Sequence, residues 1–429
     1  MEKHERQQII DLIKQEVIPA IGCTEPIAVS LCTAKASELL GKTPDSIEVL
    51  LSDNILKNAM GVGIPGTGMI GLPIAIALGA LIGKSEYQLE VLKDITPSAV
   101  DEGKKLIADN SINISLKKDI TEKLYIEVVC KAGDDRATAI IAREHTNFVL
   151  LSKNDEILLE KDICSPENQN NCCKSPELSM QKVFDFAVNT PIEEISFILE
   201  SGKMNKAAAE QSFKGCYGHE LGKTLRNDAE RRIMGNNVFA DILAYTSAAC
   251  DARMAGAMIP VMSNSGSGNQ GIAATLPVVI YAEENDKTEE ELTRALALSN
   301  LTVIYIKQSL GRLSALCGCV VAATGSSCGI TYLMGGGYEQ VCYAVKNMIA
   351  NLTGMICDGA KPSCSMKVSS GASTAVLSAM LAMEQKCVTS VEGIIDNDVD
   401  QSIRNLTEIG SEGMTQTDQL ILKIMTGKQ

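Results

Sequence analysis

The chain has no tryptophan, and aromatic residues fill only 3% of its 429 positions. Its cores must therefore be aliphatic and methionine-rich, and it has no aromatic platform on which nucleic-acid bases could stack. It also lacks a basic stripe. The formal net charge of −14 argues against nucleic acid or an anionic membrane surface as partner and leaves a small molecule as the expected one. Of the three histidines, His145 and His219 show no zinc-site spacing. The polar, charged residues 1–15 do not read as a secretory leader. The fifteen cysteines are therefore expected to stay reduced, in a cytoplasm, and their irregular spacing is not a disulfide framework.

One stretch lacks charge altogether. Residues 58–83 could cross a bilayer by length, since about 20 residues suffice. They hold seven glycines and two prolines, however, and no flanking aromatic anchors. We read a glycine-rich loop over 61–71 followed by a buried helix over 72–82, and no membrane span.

The rest of the pattern divides the chain into α+β and helical parts. Residues 5–17 and 27–40 read as helices, with Gly41 ending the second. From residue 43 the period changes. Strands are expected over 46–52, 87–92, 112–117, 124–131, 137–143 and 148–151, with a helix over 97–108 and a hairpin turn at Gly133-Asp134. Beyond residue 176 the chain is helical and rich in glycine and alanine. The expected fold class is α+β: a mainly α-helical domain over 177–429 and a separate, smaller α+β domain over 43–162. Residues 163–176, with Cys172-Cys173, form a linker, and the helices of residues 1–42 are expected to pack on the helical domain. Buried small-residue helices make a homodimer plausible.

Three cysteines stand out. Cys317 lies forty positions before Cys357, and Cys364 follows on a short loop broken by Gly359 and Pro362. Two thiolates on one loop and a third from elsewhere suit an iron–sulfur cluster with one iron left open. A helix start after Cys364, with Lys361 and Lys367, would offset the negative charge. Buried core cysteines are the plain alternative, and the tight Cys-x-x-Cys spacing is absent. Cys319 and Cys328 flank Cys317 and read as core, or as substitute ligands.

The run from Ser263 to Gly271 reads as a loop whose amides and hydroxyls suit a carboxylate or phosphate, with a bare linker as alternative. Cys23 sits in a turn before a helix, which could lower its pKa; it could act as a base, a nucleophile or a fourth cluster ligand. Lys307 and Arg312 could face an anionic substrate.

As a set, Gly22-Cys23-Thr24-Glu25-Pro26, the 263–271 loop, Cys317-Gly318 and Cys357-Asp358-Gly359-Ala360 with Ser363-Cys364 and Lys367 resemble the L-cysteine desulfidase family, related to the alpha part of iron–sulfur L-serine dehydratases. The resemblance spans nearly the whole chain. It implies a carbon–sulfur lyase with an oxygen-sensitive 4Fe–4S cluster held by Cys317, Cys357 and Cys364. The implied reaction takes L-cysteine and water to pyruvate, ammonia and hydrogen sulfide, with the substrate thiolate on the open iron. Cys23 matches the family's further functional cysteine. On this reading Ser265, Ser267 and Asn269 bind the amino-acid substrate, and Cys23, then Lys307, are the candidate catalytic bases. The serine dehydratases place a cysteine near the C-terminus on the open iron. Here the last cysteine is Cys387, which favours the desulfidase branch. The rivals are an iron–sulfur L-serine dehydratase, a pyridoxal phosphate dehydratase using Lys214, and a non-enzymatic amino-acid sensor.

Overall fold

The computed structural model describes residues 1–118, 120, 122–161, 176–227, 232–311 and 313–428. The expected linker apart from Pro176, with Cys172-Cys173, and also Arg312, lie outside these residues.

The chain opens with α1 (Lys3–Glu16), a short strand β1 (Pro19–Ile21) and α2 (Thr24–Leu40). Gly41 caps α2 at φ 74°, a left-handed conformation that suits glycine. Next come β2 (Ser46–Leu51), α3 (Asp53–Ala59), α4 (Leu72–Ile82) and α5 (Pro97–Ala108). Strands β3 (Ile112–Leu116), β4 (Tyr125–Ala132), β5 (Asp135–Ala142), β6 (Phe148–Lys153) and β7 (Glu156–Glu160) complete a six-stranded mixed sheet of order β3-β2-β4-β5-β6-β7. Only the β2–β3 pair is parallel, and α4 and α5 form its crossover.

The expected strand over 87–92 is instead a 3₁₀ turn, Ser85–Glu90. The Lys93 ammonium stands 3.4 Å from the centre of the Tyr87 ring there. Strand β7 has no counterpart in the sequence reading: Ile157 and Leu158 are exposed on this edge strand, so it shows no buried alternation. Among the described residues no helix is long and apolar enough to cross a membrane.

The second half holds α6 (Met180–Asn189), α7 (Leu199–Lys214), α8 (Val238–Met254), β8 (Pro260–Met262), α9 (Gly268–Glu284) and α10 (Glu289–Leu310). After these come α11 (Gly318–Leu333), α12 (Tyr338–Leu352), α13 (Cys364–Met383), α14 (Val399–Glu408) and α15 (Thr415–Thr426). Helix α11 is buried on nearly every side, packed against α9, α10, α12 and α13. Its glycine, alanine and serine content permits that closeness. The architecture is thus α+β and mainly helical.

The two halves have separate apolar cores. Ile9, Ile10, Leu12 and Ile13 of α1 join the helical core. Helix α2 corrects the expected packing of the first forty residues: Ile27, Leu31 and Leu40 are buried with Val49, Ile126 and Ile141 of the sheet. It is buried on most sides and shows no single apolar stripe, so its sequence does not show which core it enters.

Candidate functional site

Two backbone hydrogen bonds bring the separated cysteines together. Leu316 and Ile356 pair antiparallel; the Cys317 amide donates to the Met355 carbonyl at 2.9 Å and the Cys357 amide to that of Ala315 at 2.6 Å. Cys317 is the N-cap of α11 and Cys364 the first residue of α13, so both thiols sit at helix N-termini, whose dipoles favour thiolate. Asp358 pairs with Lys361 of the intervening loop and with Lys367 of α13, and Lys367 Nζ also donates to the Ile356 carbonyl at 2.8 Å. Gly359 lies at φ 87° against the Lys57 carbonyl oxygen, where an added Cβ would stand only 2.2 Å away. Loop and α3 are therefore in direct backbone contact.

A second device supplies the opposite wall. Strand β1 pairs antiparallel with β8, bridging Pro19–Ile21 to Pro260–Met262. This short ribbon sets the start of α2 beside the 263–271 loop, where Thr24 Oγ1 donates to the Gly266 carbonyl at 3.1 Å. The two motifs, about 240 positions apart, thereby face one another.

Between these walls is a cavity of about 100 Å³. Cys23, Ser267, Asn269, Cys317, Cys357 and Cys364 all line it. Ser265 does not: it is buried at φ 49° with its hydroxyl donating to Asn264 Oδ1 at 2.8 Å. Lys307 is also elsewhere, buried in the last turn of α10. Lys214 ends α7 and does not line the cavity either.

Glu25, Asn58, Arg253, Gln270, Cys319 and Lys367 also line it, and none was singled out for a role at the substrate. Arg253 is only 3% exposed, and among the described residues no carboxylate pairs with it. Its Nε, with Asn58 Oδ1, Asn269 Oδ1 and Gln270 Oε1, is buried without a hydrogen-bond partner. Leaving such groups unmet is costly, so this wall offers polar atoms that a ligand or water would satisfy. The guanidinium stands close against the first turn of α9: a Cβ on Gly268 would come within 2.2 Å of Arg253 Nε. A signal for Arg253 did exist. Asp251 and Arg253 are charged residues late in a helix that is otherwise mostly apolar, with five alanines.

The thiols differ in character. The Sγ atoms of Cys317 and Cys319 are 3.3 Å apart. Sharing of one hydrogen holds Cys317 down at about 7, helped by Lys367 and Lys361. The same sharing, together with burial, pushes Cys319 well up. Burial raises Cys357 to about 11, and raises Cys364 against the pull of Lys361. Cys23 corrects the expectation of a lowered pKa. Burial and then the charge of Glu25 push it well up, and its Sγ also donates to Glu25 Oε2 at 3.0 Å. Asn58 Nδ2 donates to the other oxygen of that carboxylate at 3.1 Å.

The residues present fit an iron–sulfur cluster. Cys317, Cys357 and Cys364 are three sheltered thiols from two bridged segments, with two lysines and two helix N-termini beside them. Among the described residues no three His, Cys, Asp or Glu side chains already converge on the point a single ion would fill. A cluster asks for something else, one thiolate for each iron it anchors.

The family profile of the serine dehydratase alpha chain matches residues 86–423. The chain belongs to that family. This makes it a member of a lyase family of dehydratase type, related to the alpha part of the iron–sulfur serine dehydratases. It is also similar along its whole length to proteins named only UPF0597. The one from Phocaeicola vulgatus is 73% identical over 428 residues, 100% of this chain and 99% of the relative. That of Porphyromonas gingivalis is 56% identical over 433 residues, and that of Oleidesulfovibrio alaskensis 44% over 429, each covering 100% of both chains. Within the serine dehydratase alpha chain family, these names carry no substrate.

Proposed function

We propose that the chain is an iron–sulfur-dependent L-cysteine desulfidase, which converts L-cysteine and water to pyruvate, ammonia and hydrogen sulfide. The carrying observation is that Cys317, Cys357 and Cys364 share one cavity with the hydrogen-bonded Cys23 and Glu25 and with a guanidinium that, among the described residues, no carboxylate pairs. L-Serine dehydration at the same site is the second reading, favoured by the description of the family itself.

A 4Fe–4S cluster held by Cys317, Cys357 and Cys364 would supply a Lewis-acidic iron, soft enough to prefer a sulfur leaving group. The protein's part is positioning and proton transfer. Arg253 takes the substrate carboxylate, with a planar fork that suits two oxygens. Ser267, Asn269 and Gln270 meet its remaining polar atoms. Cys23 is held as a thiol and fixes Glu25, so Glu25 takes the Cα proton. Loss of that proton with cleavage of the Cβ–S bond releases the sulfur as sulfide and leaves aminoacrylate, which becomes an imine and hydrolyses to pyruvate and ammonia. Lys307, outside the cavity, has no part in this reading. A reducing compartment belongs to it, since air would oxidise such a site.

The test is sulfide and pyruvate release by anaerobically reconstituted protein, with L-cysteine and L-serine compared side by side. Equal sulfide and pyruvate from cysteine, lost in air, is the expected result. Pyruvate mainly from serine would move the enzyme to the second reading. Activity indifferent to air would overturn both. Cys357→Ser and Cys364→Ser should each lose cluster iron together with activity.

A further inference from the structure

Among the described cysteines that line the candidate site, Cys23, Cys317, Cys357 and Cys364 have tasks in the proposed reaction, and Cys319 has none. It is the second residue of α11, two positions after Cys317, and only 5% exposed. Its Sγ meets three acceptors: the Cys317 Sγ at 3.3 Å, the Met355 Sδ at 3.2 Å and the Lys367 carbonyl oxygen at 3.5 Å. They belong to the three segments that build the thiol wall, namely the start of α11, the stretch leading to Cys357 and the start of α13.

A thiol has one hydrogen to give, so these acceptors compete for it. A thioether is a weak acceptor, and a hydrogen bond to an ionised partner is roughly twice as strong as one between neutral groups. With Cys317 on iron as a thiolate, its charge takes the Cys319 hydrogen, and Cys317 has none to offer in return. Nor does the pair suit two irons. Thiolates on a cluster extend outward from separate corners, so sulfurs in contact at 3.3 Å do not serve two of them.

We propose that Cys319 is a positioning residue for Cys317 and not a ligand: its S–H donates to the Cys317 thiolate and makes the bound cluster easier to reduce. The inference rests on the iron–sulfur reading of the site and is the same for either substrate. A donor on a ligand sulfur stabilises the added negative charge of the reduced cluster, and such hydrogen bonds are among the levers that set a cluster's potential. Removing the donor therefore lowers the potential.

The test is redox titration of the anaerobically reconstituted whole chain, without substrate, followed by electron paramagnetic resonance. Cys319→Ala should keep wild-type iron and move the midpoint potential to a more negative value. Cys319→Ser keeps a hydrogen to donate and should stay closer to wild type. Should Cys319→Ala fail to fold, Cys319→Val, which fills the space and carries no donor, should show the same negative shift. An unchanged potential in the variant without a donor would overturn the proposal and return Cys319 to plain packing. Iron lost from that variant while it stays folded would overturn it by making Cys319 a ligand. A Cys319→Ser shift as large as that of Cys319→Ala would overturn it by tying the effect to shape and not to the hydrogen. Wild-type protein that takes up no iron would overturn this inference and the cluster reading together, whereas the other adverse outcomes leave the cluster in place.

Discussion

The Cys23 thiol donates its hydrogen to the Glu25 carboxylate at 3.0 Å, two residues along the same first turn of α2. Asn58 holds the other oxygen, so the carboxylate is fixed from both sides on the wall it shares with Arg253. In the proposed reaction Glu25 accepts the substrate proton and Cys23 supports it. A positioned acid or base contributes about 10²–10⁴-fold to rate. Glu25→Gln should therefore lower turnover at least a hundredfold while reconstituted iron stays at the wild-type level. Cys23→Ala should also keep its iron but lose turnover less severely. If Glu25→Gln turns over normally, the proton goes elsewhere.

Arg253 makes a different prediction, because in the proposed reaction it binds the carboxylate and does not react. A hydrogen bond to a charged partner is worth about 1.5–3 kcal/mol, which is roughly 10–150-fold in affinity. Arg253→Ala should raise KM for L-cysteine by that range. Arg253→Lys should recover part of it, since lysine keeps the charge but not the fork. A fall in kcat with KM unchanged would remove Arg253 from carboxylate binding.

Gly359 is where backbone conformation and crowding coincide. Its φ of 87° and the nearby Lys57 carbonyl leave no room for a side chain. A non-glycine residue in such a region costs about 1–3 kcal/mol before the clash is counted. Gly359→Ala should lower the unfolding midpoint and the iron bound after reconstitution, because the strain falls between Cys357 and Cys364. Gly354→Ala is the control: nothing lies within 4 Å of its added Cβ and its φ is not positive. It should leave both quantities unchanged.

How much of this was legible beforehand follows from the range of the interactions. The helices 97–108 and 72–82 matched their elements to the residue, because caps, prolines and apolar period are local signals. The β4–β5 hairpin was legible for the same reason. The cysteine set could be found from spacing and motif, whereas its closure through Leu316 and Ile356 is a long-range pairing of single residues. The β1–β8 ribbon is three residues per strand, too short to show alternation, yet it builds the site. Ser265 and Ser267 were indistinguishable in a run of serines and glycines. Only the left-handed turn at Ser265 and the start of α9 separate them, one tied back to Asn264 and the other lining the cavity. Lys307 shows the converse: a charged residue near a motif in sequence need not reach it when the helix carrying it ends on another side.

The last prediction concerns the joint between the halves. Lys57 is only 1% exposed, and its ammonium pairs with Asp418 of α15, whose side chain is 17% exposed. Removing one partner of a buried pair strands the other, at a cost of about 3–5 kcal/mol. The two partners are not equivalent here. Asp418→Leu leaves a fully buried ammonium, whereas Lys57→Met leaves a carboxylate that water can still reach. Asp418→Leu should therefore destabilise by the larger amount in denaturant unfolding, and Lys57→Met by distinctly less. The double variant should recover much of the loss, because two apolar side chains can replace a desolvated pair with little penalty. Equal costs for the two single variants, or a double variant no better than Asp418→Leu, would show that the pair does not carry the joint. Since the Lys57 carbonyl also packs on Gly359, Asp418→Leu should loosen the cysteine loop as well, read as faster iron loss to a chelator from protein that is still folded.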